Sequence, residues 1–89
     1  MSSPSSWGLQ IDLSVFKLLK KTPKRDIERL LVAIKLLPTD PYFGDIEKMK
    51  GADNTWRRRI GNYRIFYIIK VKEKVVLVFH LERRTSKTY

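Results

Sequence analysis

The sequence predicts an α+β domain of order β-α-α-β-β-β, in which two N-terminal antiparallel helices pack on one face of a small, mainly antiparallel four-stranded sheet. Three observations carry that prediction. Apolar residues recur at helical spacing between Val15 and Leu37, the apolar period changes toward two from Trp56 onward, and the chain of 89 residues can bury one modest core and no more.

Residues 1–6, MSSPSS, form a Ser/Pro tail too polar and short to pack and expected to be disordered; residues 7–89 form a single domain. In WGLQID, Trp7, Leu9 and Ile11 alternate with Gly8, Gln10 and Asp12, the pattern of a short half-buried strand. A helix follows, capped by Asp12 or Ser14, with Val15, Phe16, Leu18 and Leu19 apolar and Lys17, Lys20 and Lys21 toward water. Thr22-Pro23 interrupts it, and Pro23 suits the first position of a second helix because its φ is already helical. Ile27, Leu30, Leu31, Ile34 and Leu37 give that helix its apolar face, and Pro38 with Pro41 ends it.

After the loop PTDPYFGD, the runs Trp56–Ile60, Tyr63–Val71 and Lys74–Leu81 are rich in β-branched and aromatic residues. Gly61-Asn62 and the polar KEK around Glu73 separate them, which reads as an antiparallel meander. On the middle strand Tyr63, Ile65, Tyr67 and Ile69 should face the helices, leaving Arg64 on the open face. In VVLVFHL both faces are apolar and no alternation can be assigned.

Lys and Arg outnumber Asp and Glu by 19 to 9, a formal charge of +10. The excess is uneven: residues 45–89 hold 12 basic against 5 acidic side chains, or +7, and residues 1–44 hold 7 against 4, or +3. Such a field attracts polyanions in a salt-dependent way, and would attract an acidic protein equally well. With no cysteine there is neither disulfide nor thiolate chemistry, which fits a reducing compartment. No apolar run approaches the ~20 residues of a membrane span, and the first residues lack the pattern of a signal peptide, so a cytoplasmic protein without membrane partners is expected.

The densest chemistry lies in TWRRRIGNYR, residues 55–64, and RRTSKTY, residues 83–89. Arginine presents a planar fork of donors that matches phosphate oxygens. The only nearby side chains able to move a proton are tyrosines and one histidine, so the expected partner is RNA, open to cleavage without a metal. No metal site is visible, because carboxylates at Asp45, Glu47, Asp53, Glu73 and Glu82 lack ligand spacing; no cofactor is expected.

The segments IEKMKG, WRRRI, GNYRIFY and ERRTSKTY, in the order just derived, resemble the RelE/ParE superfamily of bacterial and archaeal toxins, from about Trp7 to Tyr89. The Gly-x-Tyr-Arg block is specific for the superfamily but not for its branches. RelE-type members are ribosome-dependent mRNA endonucleases, and ParE-type members inhibit DNA gyrase. The basic strand and the Arg-x5-Tyr ending favour the RelE branch.

That resemblance implies a catalytic set. Arg64 would hold the scissile phosphate, Arg57 and Arg59 would neutralise charge on the pentacoordinate phosphorus, Arg83 would serve the leaving oxygen, and Tyr89 would be the general base for the 2′-hydroxyl. Guanidinium groups near Tyr89 would favour its phenolate, whereas a terminal carboxylate on the same residue would oppose it. Arginine in place of the family's usual lysine at 57 and 59 keeps charge but donates a proton less readily. Lys48, Lys50, Arg84 and Lys87 would bind RNA. The implied partners are mRNA in the ribosomal A site, the ribosome and a cognate antitoxin.

Plainer readings stand beside these. A run such as Arg57–Arg59 can be a solvated strand face, Arg58 should point away from its neighbours and be structural, and Tyr63, Tyr67 and Trp56 fit core or edge packing. His80, between Phe79 and Leu81, reads as a partly buried structural residue and not as an acid or base. A gyrase-directed inhibitor and a catalytically silent RNA- or ribosome-binding module remain the alternatives.

Overall fold

The computed structural model describes residues 7–83; the tail 1–6 and residues 84–89, with Arg84, Lys87 and Tyr89, lie outside the described residues. Along the chain run β1 (Gly8–Ile11), α1 (Leu13–Lys20), α2 (Lys24–Leu36), β2 (Ile46–Lys48), β3 (Thr55–Ile60), β4 (Tyr63–Lys70) and β5 (Val75–Arg83).

Asp12 stops β1 and starts α1: its backbone is extended, and its carboxylate accepts from the Ser14 amide at 3.1 Å. That contact with Ser14 holds the Asp12 carboxyl below the usual carboxylate range. Val15 and Leu19, one turn apart, bury the inner face, while Lys17 and Lys20 occupy the last turn where the helix dipole favours cations. Pro23 caps α2 from one position earlier than expected. Its extended ψ of 142° leaves the carbonyl free to accept from the Asp26 and Ile27 amides. Leu30, Ala33, Ile34 and Leu37 then form the buried stripe.

The sheet has five strands, in the order β1-β5-β4-β3-β2, where four were expected. The added strand is β2, three residues antiparallel to β3 with Ile46 opposite Arg58, Glu47 opposite Arg57 and Lys48 opposite Trp56. β1 runs parallel to β5, and all other pairs are antiparallel. On β4 the expected alternation holds: Tyr63, Ile65, Tyr67 and Ile69 are buried against the helices.

The ambiguous run on β5 resolves through a β-bulge. Phe66 pairs with His80 but Tyr67 pairs with Val78, so Phe79 is an extra, unpaired residue. Val76 and Val78 enter the core at spacing two, and the next core residue, Leu81, follows at spacing three. No strict period could have shown this.

The loop between α2 and β2 is tied to the sheet from below. Tyr67 Oη donates to the Pro41 carbonyl at 2.8 Å, Pro41 itself is fully buried, and the Trp56 ring meets Tyr42 edge-on at 5.8 Å. Burial pushes the Tyr67 phenol up to about 12. Tyr67→Phe keeps the packed volume but orphans the Pro41 carbonyl, so it should destabilise the fold by about 1–2 kcal/mol. Urea unfolding should show a lower midpoint at unchanged m-value; an unchanged midpoint would mean that the bond contributes nothing.

Candidate nucleic-acid interface

Pairing register decides which arginines meet. In β3 and β4, Arg57 lies opposite Phe66, Arg58 opposite Ile65 and Arg59 opposite Arg64. Ile65 faces the helices, so Arg58 shares that side, and Arg57, Arg59 and Arg64 emerge together on the open face. With Asp45 and Glu47 they line a small cleft of about 30 Å³.

Each of the three carries a carboxylate. Glu47 accepts from Arg57 Nε at 3.0 Å and from its Nη2, Asp45 lies 3.4 Å from Arg59, and Glu82 lies 3.9 Å from Arg64. The Arg57 hydrogen bond and charge hold the Glu47 carboxyl below the usual range, with smaller help from Arg64 and Arg59. All three pairs reach solvent, where an ion pair is worth little and exchanges readily. The cleft is therefore a set of guanidinium forks occupied by the chain's own weak anions. A phosphate dianion or diester can displace them.

The remaining candidates fall elsewhere. Arg83 pairs in register with Tyr63 and sets its guanidinium 5.9 Å from that ring, on the helix side of the sheet. There it lines a separate cavity of about 150 Å³ with Lys21, Thr22 and Leu81. The structure does not bring Arg83 to the other three. Lys48 shares the Trp56 side of the β2–β3 pair and Lys50 lies in the following turn, so neither joins the cleft. Arg84, Lys87 and Tyr89 lie outside the described residues.

Arg58 has the structural placement expected of it: Nη1 makes a long contact, 3.5 Å, to the Phe43 carbonyl, and the guanidinium lies 5.9 Å from the Phe43 ring. His80 corrects its expectation. It is exposed on the open face, opposite Phe66 with ring centroids 5.4 Å apart, because the bulge at Phe79 turns it outward. Tyr63 and Tyr67 lie buried on the helix side of the sheet, away from the cleft. Burial raises both phenols, and Tyr63 also donates to Asp26 at 2.8 Å, which raises it further.

Sequence reasoning missed the carboxylates. Asp45 and Glu47 stand two apart, as do Arg57 and Arg59, and that matched spacing of opposite charge was the available signal for an edge strand beside WRRRI.

The family model for the ParE toxin of type II toxin–antitoxin systems matches residues 13–87. A Methanocaldococcus jannaschii protein named as a RelE1 toxin is 28% identical over 81 residues, covering 88% of this chain and 90% of that protein. Among solved structures, the archaeal RelE–RelB complex from Pyrococcus horikoshii matches with a TM-score of 0.79 and 28% identity, over 92% of this chain and 99% of the matched one. The isolated Escherichia coli RelE toxin shares the fold, with a TM-score of 0.77 at 18% identity over 92% of this chain and 88% of that one.

Removing one carboxylate should expose the forks. Glu47→Gln frees Arg57, so the variant should bind a polyanion such as heparin more tightly, with a steeper salt dependence. The pair also has a pH signature: a carboxyl whose folded pKa is depressed stabilises the fold above its unfolded value, and that contribution is lost as pH falls through the folded one. Glu47→Gln should therefore flatten the acid limb of the stability curve. Equal heparin elution for the two proteins would show that Glu47 does not hold Arg57 in solution.

Proposed function

This chain belongs to the ParE toxin family of type II toxin–antitoxin systems, within the RelE/ParE superfamily, and from that premise we propose that it is a ribosome-dependent mRNA endonuclease. The observation that carries the proposal is the convergence of Arg57, Arg59 and Arg64 on one open cleft. Three guanidinium groups within one cleft suit a single phosphodiester whose charge grows during reaction.

In the proposed reaction the 2′-hydroxyl oxygen attacks the adjacent phosphorus in line. The O2′–P bond forms as the P–O5′ bond breaks, and the departing O5′ takes a proton from water, leaving a 2′,3′-cyclic phosphate and a free 5′-hydroxyl. Arg64 holds the phosphate, while Arg57 and Arg59 release Glu47 and Asp45 and neutralise the pentacoordinate phosphorus. Tyr89 takes the proton from the 2′-hydroxyl. Arg83 serves the leaving oxygen only if it turns away from the Tyr63 ring. The chemistry rests on guanidinium groups and a phenol and draws on no metal.

Two of the solved relatives are complexes of RelE with RelB, from P. horikoshii and Methanococcus jannaschii. A cognate antitoxin of acidic character is accordingly proposed as the partner of this +10 chain.

Incubation with translating ribosomes, followed by mapping of mRNA ends, tests the function. Cleavage should persist in excess chelator once ribosome integrity is maintained independently, and the products should carry cyclic phosphates. Arg64→Ala should slow it about 10²-fold, the scale of losing one pre-organised donor, and Tyr89→Phe should cost a similar factor. Intact mRNA with early gyrase-linked DNA cleavage would instead identify a gyrase inhibitor, and 5′-phosphate products would point to a metal-activated water.

A further inference from the structure

The loop between α2 and β2 holds two large aromatic side chains in water. Phe43 is 65% exposed and Tyr42 is 49% exposed. Neither is loosely held. The Tyr42 amide donates to the Asp40 carboxylate at 3.1 Å and the Tyr42 ring packs edge-on against Trp56, and the Phe43 amide donates to the Asp40 carbonyl at 3.2 Å. Beneath them Pro41 is buried and bonded to Tyr67.

The cation below Phe43 is also unusual. Among the described residues Arg58 makes no ion pair, in contrast to Arg57, Arg59 and Arg64. Gly44 follows with φ 98°, and a Cβ there would lie 2.9 Å from Arg58 Cζ. Glycine is thus what lets the backbone turn tightly over the guanidinium. One residue on, Asp45 reaches Arg59, and its carbonyl accepts from the Arg59 amide at 3.0 Å. Phe43, over Arg58, and the cleft, at Arg59, are therefore joined by the short turn Gly44-Asp45 at one end of β3, on either side of the sheet margin.

We propose that Phe43, backed by Arg58 and flanked by Tyr42, is a stacking platform for an unpaired base of the RNA strand whose phosphate enters the arginine cleft. This rests on the proposed function and adds a second contact to the same strand. An aromatic ring exposed to water gains by stacking on a nucleobase, which presents a flat π-face whatever its identity, and a cation beneath the ring with no ion pair among the described residues favours a polyanionic strand over an apolar or basic partner. Both nearby carboxylates are already engaged, Asp40 by the Tyr42 amide and Asp45 by Arg59.

Stacking and charge contacts separate by salt. Fluorescence anisotropy with a labelled single-stranded oligoribonucleotide at low ionic strength should show Phe43→Ala binding about five-fold or more weakly with an unchanged salt slope. Arg64→Ala should instead reduce the slope. Phe43→Leu should resemble the alanine variant and Phe43→Trp should retain affinity, while a strand with abasic sites in place of bases should bind wild type and Phe43→Ala equally. Equal affinity of Phe43→Ala and wild type for the intact strand overturns the platform. So does full rescue by leucine, or a loss of antitoxin binding with RNA affinity unchanged. A wild type that cuts mRNA on ribosomes yet fails to bind the free strand also overturns the platform and leaves the function standing, because that function fails only in the cleavage assay.

Discussion

Two arginines face each other across the hairpin of β3 and β4, Arg59 opposite Arg64, and the surrounding structure is arranged to tolerate them. Like charges directly opposite destabilise an antiparallel pair. Arg57, on the same face two residues along, adds a third positive charge. Relief comes from three carboxylates in two stretches of the sequence: Asp45 and Glu47 at the edge, and Glu82 from β5. The short strand β2 makes sense in this light. At three residues it adds little to the core, yet it sets Glu47 directly opposite Arg57, while the turn before it delivers Asp45 to Arg59.

The helix side of the sheet supports the same arrangement. Tyr67, Trp56 and Arg58 point inward or sideways from β3 and β4, and each grips the loop that leads into β2. A strand alternates its side chains, so the residues that build the cleft and those that anchor its edge interleave along one six-residue segment. Arg57 and Arg59 serve the open face, Trp56 and Arg58 the loop. Substitution on either set reaches the other through the edge strand.

The helices, the meander and the face of β4 were legible because their signals are local and repeated: a 3.6 period with Asp12 and Pro23 at the boundaries, and four aromatic or β-branched residues at spacing two. β2 was not legible. Ile-Glu-Lys is too short and too polar to show a period, and its partner lies beyond the turn that follows. The bulge at Phe79 was equally hidden, since a run apolar on both faces carries no phase, and with it went the outward turn of His80. On the cleft, alternation put Arg57 and Arg59 on one face and Arg64 on the open one, the resemblance grouped them, and the Arg59–Arg64 register shows that they share a face. The side taken by Arg83 depends on where β5 regains its phase after the bulge, which places it opposite Tyr63 and away from the cleft.

The carboxylates also bear on selectivity. A chain of charge +10 with three bare guanidinium groups on a flat sheet would hold any nucleic acid it met. Exposed ion pairs impose a threshold: each fork must give up a partner at 3 to 4 Å before it takes a phosphate. A passing phosphate that meets one fork gains little over the carboxylate it displaces. A phosphodiester seated among three forks displaces all of them at once, and it gains further when its own charge rises toward the pentacoordinate state, which a fixed carboxylate cannot do. The internal pairs therefore weaken ground-state and transition-state binding alike, and the discrimination comes from the rise in charge on the phosphoryl group, which only the freed forks can answer.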